Sequence, residues 1–145
     1  MIKPDINIMK VAIEAAEKNQ TPFGAALAMG NELFAAAANQ TSKLHDPTAH
    51  AEVMVIRKLC SQLKKTDLSG FTLYTTCEPC PMCMSAAIWA RIDQVFYGCD
   101  IPTISGKMDQ INLRSVDLAQ NCFYEIKVKG GILEEQCRSL LIKYS

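Results

Sequence analysis

The chain reads as an α/β layered domain, and three observations predict it. Ile6, Met9, Ile13 and Ala16 recur at helical spacing near the N-terminus. Two apolar runs flank the turn pair Gly30-Asn31, as in a hairpin. Beyond the hairpin, short strand-like runs alternate with helical segments, which favours strands sheeted between helices. With 145 residues there is room for one domain with one core, spanning 1–145.

The elements follow in order. A first helix runs from Ile6 to about Lys18 behind Asp5 as its cap. Phe23–Met29 and Leu33–Ala38 form the hairpin. Asp46-Pro47 reads as an N-cap followed by proline at the first helical position, opening a helix to about Gln62. That helix is expected to turn Val53, Ile56, Leu59 and Cys60 inward. Phe71–Thr76 is a short strand, and Pro81 opens a second helix through Ala90. Gln94–Cys99 and Tyr124–Val128 are strands. After Gly130-Gly131, a helix over Glu134–Ile142 follows. The stretch from Ile101 to Ala119 patterns as a loop followed by a short helix.

Composition narrows the function classes. Fifteen basic residues balance fifteen acidic ones. A protein held mainly by a phosphate backbone usually carries a basic excess, so the balance argues against nucleic acid as the main handle. No run approaches the roughly 20 apolar residues that span a bilayer. The first residues lack a signal core, so a cytoplasmic location is expected. Seven cysteines in such a compartment are not a disulfide framework. They divide into metal ligands and small core residues, with Cys60, Cys99, Cys122 and Cys137 in or beside apolar runs.

Two segments carry chemistry: His50-Ala51-Glu52 and Pro79-Cys80-Pro81-Met82-Cys83. A Cys-x-x-Cys pair alone also fits a redox site. Here it lies at the opening turn of a predicted helix, where unpaired amides and the dipole favour thiolates. His50 falls in the first turn of the preceding predicted helix. Two helix starts at one sheet edge can converge on a single zinc ion. His50, Cys80 and Cys83 would be its ligands, with the fourth tetrahedral position open to water, an arrangement typical of catalytic zinc. Two thiolates neutralise the ion's charge, so a carboxylate is needed to take a proton from water, and Glu52 is placed for that. Cys77, Cys80 and Cys83 are equally spaced, which leaves a cluster or a structural zinc as an alternative. Packing is the role expected for Cys77.

At these residues the chain resembles the cytidine deaminase-like superfamily, whose zinc deaminases carry His-x-Glu and Pro-Cys-x-x-Cys. It looks most like the branch of guanine deaminases, tRNA adenosine deaminases and fungal-type cytosine deaminases. The landmarks are Pro22-Phe23-Gly24-Ala25, Asn39, Asp46 through Glu52, Leu73 through Cys83, and Ala90-Arg91. The resemblance implies a three-layer αβα sandwich around a five-stranded mixed sheet. It also implies one zinc per chain, Glu52 as proton shuttle, and a homodimer or larger assembly.

It further implies that Asn39 hydrogen-bonds the base, that the Ala51 amide meets a ring oxygen, and that Phe23 covers the pocket edge. Trp89, in Ile88-Trp89-Ala90-Arg91, matches an aromatic lining the base pocket of guanine deaminases. A core aromatic is the other reading. Asp109 aligns, across a gap, with an acid those enzymes use near substrate. Gly130 through Cys137 resembles the ending of tRNA adenosine deaminases instead, without the basic tail that often follows there. Tyr144 is a candidate for closing the site.

The favoured expectation is therefore hydrolytic deamination of a free nucleobase or nucleoside, guanine-type first, with release of ammonia. The alternative is conversion of adenosine to inosine in tRNA, and a second alternative is cytosine or cytidine deamination. Lys43, His45, Lys64, Lys65, Lys107 and Arg114 are available to RNA but scattered in the sequence. A non-catalytic zinc module is the remaining class, and it has no use for Glu52.

Overall fold

The computed structural model describes residues 2–145. One five-stranded mixed sheet orders its strands β2-β1-β3-β4-β5. These are β1 (Gly24–Met29), β2 (Glu32–Ala38), β3 (Thr72–Cys77), β4 (Gln94–Cys99) and β5 (Lys127–Lys129). β1 runs antiparallel to both β2 and β3, whereas β3, β4 and β5 are mutually parallel. The hairpin turns at Gly30 with φ +59°, a value that a glycine at the first central position of a tight hairpin accepts without strain.

Alternation along the strands builds two cores. From β1, Ala25 and Leu27 face one side, with Leu73 and Val95. Ala26 and Ala28 face the other, with Tyr74 and Phe96. The first side is covered by α3 (Ala51–Leu63), α4 (Pro81–Trp89) and α6 (Ser115–Gln120). The second is covered by α1 (Ile6–Lys18), α5 (Ile101–Ser105) and α7 (Glu134–Tyr144). The expected three layers are thus present. α1 lies so close to β1 that a Cβ on Gly24 would sit 2.0 Å from the Ala12 carbonyl oxygen.

Four local expectations change. Asp46 does not cap a helix. Its Oδ1 accepts from the Thr48 amide at 2.8 Å and the Thr48 hydroxyl at 2.7 Å, and Ala49 N–H returns to the Asp46 carbonyl. Asp followed by Pro suits the first two positions of such a turn equally well. The helix α3 therefore starts at Ala51, and its buried residues are Ala51, Glu52, Val55 and Leu59. Val53, Ile56 and Cys60 are only partly buried.

Short α2 (Thr41–Leu44) and α5 were not anticipated. The Asp100 side chain caps α5 through Thr103, and Pro102 stands in its first turn. Finally, β5 begins at Lys127 and not at Tyr124. Tyr124 is held outside the sheet, its hydroxyl donating to Asp93 at 2.6 Å and its carbonyl accepting from the Cys122 thiol at 2.9 Å. No helix among the described residues is long and apolar enough to cross a membrane.

Candidate active site

His50 and Cys80 occupy equivalent places. Each is the N-cap of its helix, α3 and α4, with extended backbone (ψ 156° and 168°) and no side-chain capping bond. An N-cap backbone is already out of the helix, so its side chain can turn across the helix start. Pro81 at the first helical position fixes this for Cys80, and Cys83 follows within the first turn of α4. His50 Nδ1 lies 3.7 Å from Cys80 Sγ and 3.5 Å from Cys83 Sγ. Among the described residues, these three form the one group of His, Cys and acid donors within 4.8 Å of one another. Cys77 is outside it, a buried thiol at the end of β3 whose pKa burial raises.

The donor set fits zinc. With Zn–S of about 2.3 Å and Zn–N of about 2.0–2.1 Å, tetrahedral angles separate nitrogen and sulfur by about 3.6 Å. The observed separations bracket that value. The two sulfurs also differ: Cys80 is pulled down to about 4, first by donation from the Cys83 thiol and then by His50, against burial. Cys83 is pushed up by the same contact and by burial. One half-buried imidazole and two sulfurs suit a borderline-soft dication such as zinc.

Glu52 is 5% exposed and faces the same space. Burial is the main cause that lifts its carboxyl to about 7, with the Cys80 sulfur second. A cavity of about 590 Å³ opens in front of it, lined in part by Phe23, Asn39, His50, Glu52, Asp109 and Ile111. Asn39 is held by its amide donating to the Phe23 carbonyl and its Nδ2 donating to Thr41 Oγ1. Ala51 packs its methyl into the core, and as first residue of α3 its N–H has no intrahelical partner.

Trp89 is the departure. It is 73% exposed and belongs to a separate groove, its ring against Phe123 at 4.8 Å between centroids. It is neither a wall of this cavity nor a core aromatic. The last turn of α4 carries it away from the end where Cys80 and Cys83 sit. Tyr144 also stays outside the cavity, its hydroxyl donating to Glu17 at 3.4 Å. Glu78 stands in the cavity wall, and its part in the site was unassigned from sequence. The available signal was an acid wedged between Cys77 and Pro79 in an otherwise interior stretch.

Nitrogen and sulfur donors at zinc spacing, a buried carboxylate beside them and an open cavity define a zinc protein with room for a reactant. Residues 2–99 match the model for the cytidine and deoxycytidylate deaminase zinc-binding region, and the chain belongs to that family. A tRNA-specific adenosine deaminase of Bacillus subtilis is 37% identical over 134 residues, covering 92% of this chain and 81% of the relative. A guanine deaminase of the same organism is 47% identical over 79 residues, covering 54% of this chain and 51% of the relative. A structure from work on A-to-I editing by tRNA:A34 deaminases superposes with TM-score 0.81 at 31% identity. It covers 94% of this chain and 99% of that one.

Proposed function

We propose that this protein deaminates adenosine in a tRNA loop to inosine, releasing ammonia. The observation that carries this reading is the extent of the likeness: the tRNA-specific relative follows this chain over 92% of its length, the guanine deaminase over 54%. The guanine-first expectation leaned in part on Trp89 as a pocket aromatic, beside the balanced charge, and Trp89 lies outside the cavity. A second groove supports a substrate larger than a free base. It adjoins the cavity, sharing Phe23, Asn39 and Met108, and adds Gln20, Lys43 and Tyr144.

The chemistry is a substitution at the amino-bearing ring carbon. A water oxygen bonds to that carbon, the carbon–nitrogen bond breaks, and the nitrogen leaves as ammonia. His50, Cys80 and Cys83 hold zinc, which when bound supplies a Lewis acid that makes water easier to deprotonate. Glu52 takes the proton from water and returns protons to the ring nitrogen and to the leaving amine. Its burial suits this, because desolvation raises the carboxyl's pKa and so makes it a better proton acceptor than an exposed glutamate. Asn39 and the Ala51 amide orient the ring, Phe23 covers it, and Asp109 lines the same cavity.

The exposed apolar side chains Trp89, Phe123, Leu113 and Val116 make a surface for a second copy of the chain. Guanine remains the second reading because Asp109 does stand in the cavity wall.

The test compares inosine formation in a tRNA anticodon stem-loop with ammonia release from guanine. RNA turnover should weaken steeply between about 50 and 200 mM salt, as phosphate contacts require. Robust ammonia release from guanine with no inosine in the RNA would overturn this assignment.

A further inference from the structure

Glu78 is buried at 2% exposure, immediately before Pro79-Cys80. Its carboxylate accepts from both ends of one chain segment. At the start of that segment, Ile101 N–H donates to Oε1 at 2.8 Å. At its end, Arg114 Nε donates to Oε1 at 2.9 Å and Oε2 at 3.2 Å. Ser115 donates to Oε2 through its amide at 2.9 Å and its hydroxyl at 2.6 Å. Between these ties lie Ile104, Met108, Asp109, Gln110 and Ile111, which form one wall of the cavity. Glu78 N–H in turn donates to the Cys99 carbonyl at 2.7 Å, fixing the carboxylate's own backbone to the end of β4.

We propose that Glu78 is a positioning residue for substrate: it pins the 101–115 wall at both ends to the turn that carries Cys80. The proposal rests on the reading of this cavity as the substrate pocket. The donors demand an acceptor-only group. An amide of the same shape cannot serve. With its NH₂ at the Oε1 position it faces Ile101 N–H; at the Oε2 position it faces Ser115 N–H. In the first orientation the start of the wall loses its Ile101 tie. In the second the end loses the Ser115 amide bond and keeps Arg114 Nε and a hydroxyl that must turn to accept. One end of the wall is thus loosened while the zinc ligands keep their places.

The experiment uses Glu78→Gln in the full zinc-loaded chain, with Ser115→Ala as the milder second variant. Amide hydrogen exchange should accelerate within 101–115 and stay at the wild-type rate in α3. KM for a tRNA anticodon stem-loop, or for guanine if that is what the wild type turns over, should rise about ten-fold in Glu78→Gln. This is the change that one lost buried hydrogen bond to a charged group carries. The kcat should hold, and zinc should stay near one per chain. Ser115→Ala should shift exchange and KM in the same direction by less. The exchange arm needs no substrate, so it stands or falls apart from the RNA assignment. Unchanged exchange in 101–115 in both variants would overturn the proposal. So would a fall in zinc content or kcat at constant KM, which would assign Glu78 to the cysteine turn alone.

Discussion

Replacing Glu52 by glutamine separates the chemistry from the fold. The amide has the shape of the carboxylate, and the site gives it the same walls, because the residue is 5% exposed. It cannot accept a proton from water or hand one to nitrogen. Loss of a single acid–base group typically costs about 10²–10⁴ in rate, or about 2.7–5.4 kcal/mol of transition-state stabilisation. Glu52 serves both the attack and the departure, so the upper end of that range is expected. Stability should move the other way or not at all. Burial alone disfavours the charged carboxylate, and the neutral amide is free of that cost. Single-turnover inosine formation, zinc content and thermal unfolding are measured on the same preparation. The expected result is full zinc, an unfolding midpoint no lower than wild type, and a rate down by about four orders of magnitude. A zinc-loaded Glu52→Gln protein turning over within ten-fold of wild type, roughly 1.4 kcal/mol, would refute the shuttle.

Metal analysis should find close to one zinc per chain, retained in Cys77→Ala and lost in Cys80→Ala; loss in Cys77→Ala would move the site. Prolonged chelation should abolish turnover, and added zinc should restore it. Trp89→Ala should weaken self-association in sedimentation while leaving KM within about two-fold, as a surface change distant from the cavity should. A large rise in KM without a change in assembly would return Trp89 to the pocket. Gly98→Ala should lower the thermal midpoint by several degrees, since its Cβ would meet Cys137 Sγ at 2.3 Å and the Thr76 carbonyl oxygen at 2.7 Å. Overpacking of that kind costs about 1–3 kcal/mol.

The residues proposed to hold zinc were legible because their chemistry and their backbone positions coincide. Cys80 is followed by a proline that suits the first helical position, and His50 sits two residues before an acid that the same reaction needs. Layering was legible from the interleaving of strand-like and helical runs, whereas the two faces of β1 were not, because Gly24–Met29 is apolar throughout and only the structure divides it between the two cores. The start of α3 was not, because Asp-Pro-Thr serves a helix cap and a β-turn with the same hydrogen-bonding atoms. Only the packing of Ala51 and Val55 against the sheet decides between them. The place of Trp89 outside the cavity was illegible for a related reason: local sequence fixes which helix a side chain rides on, but not which end of it the pocket faces. Glu78 needed tertiary information altogether, since its carboxylate's partners are 23 to 37 positions away.

The two pins on the 101–115 wall have a consequence for how such a protein could be retargeted. The proposed zinc ligands and Glu52 lie before residue 84, and the family match ends at Cys99. Met108, Asp109 and Ile111 come after it, on a stretch moored at Ile101 and again at Arg114 and Ser115. Those moorings are natural graft boundaries. A segment from another deaminase, transplanted between them with its spacing intact, would meet the same carboxylate at both ends. The share of substrate choice set by this wall would then be exchanged like an interchangeable jaw, with the metal-bearing half, Phe23 and Asn39 included, left as it stands.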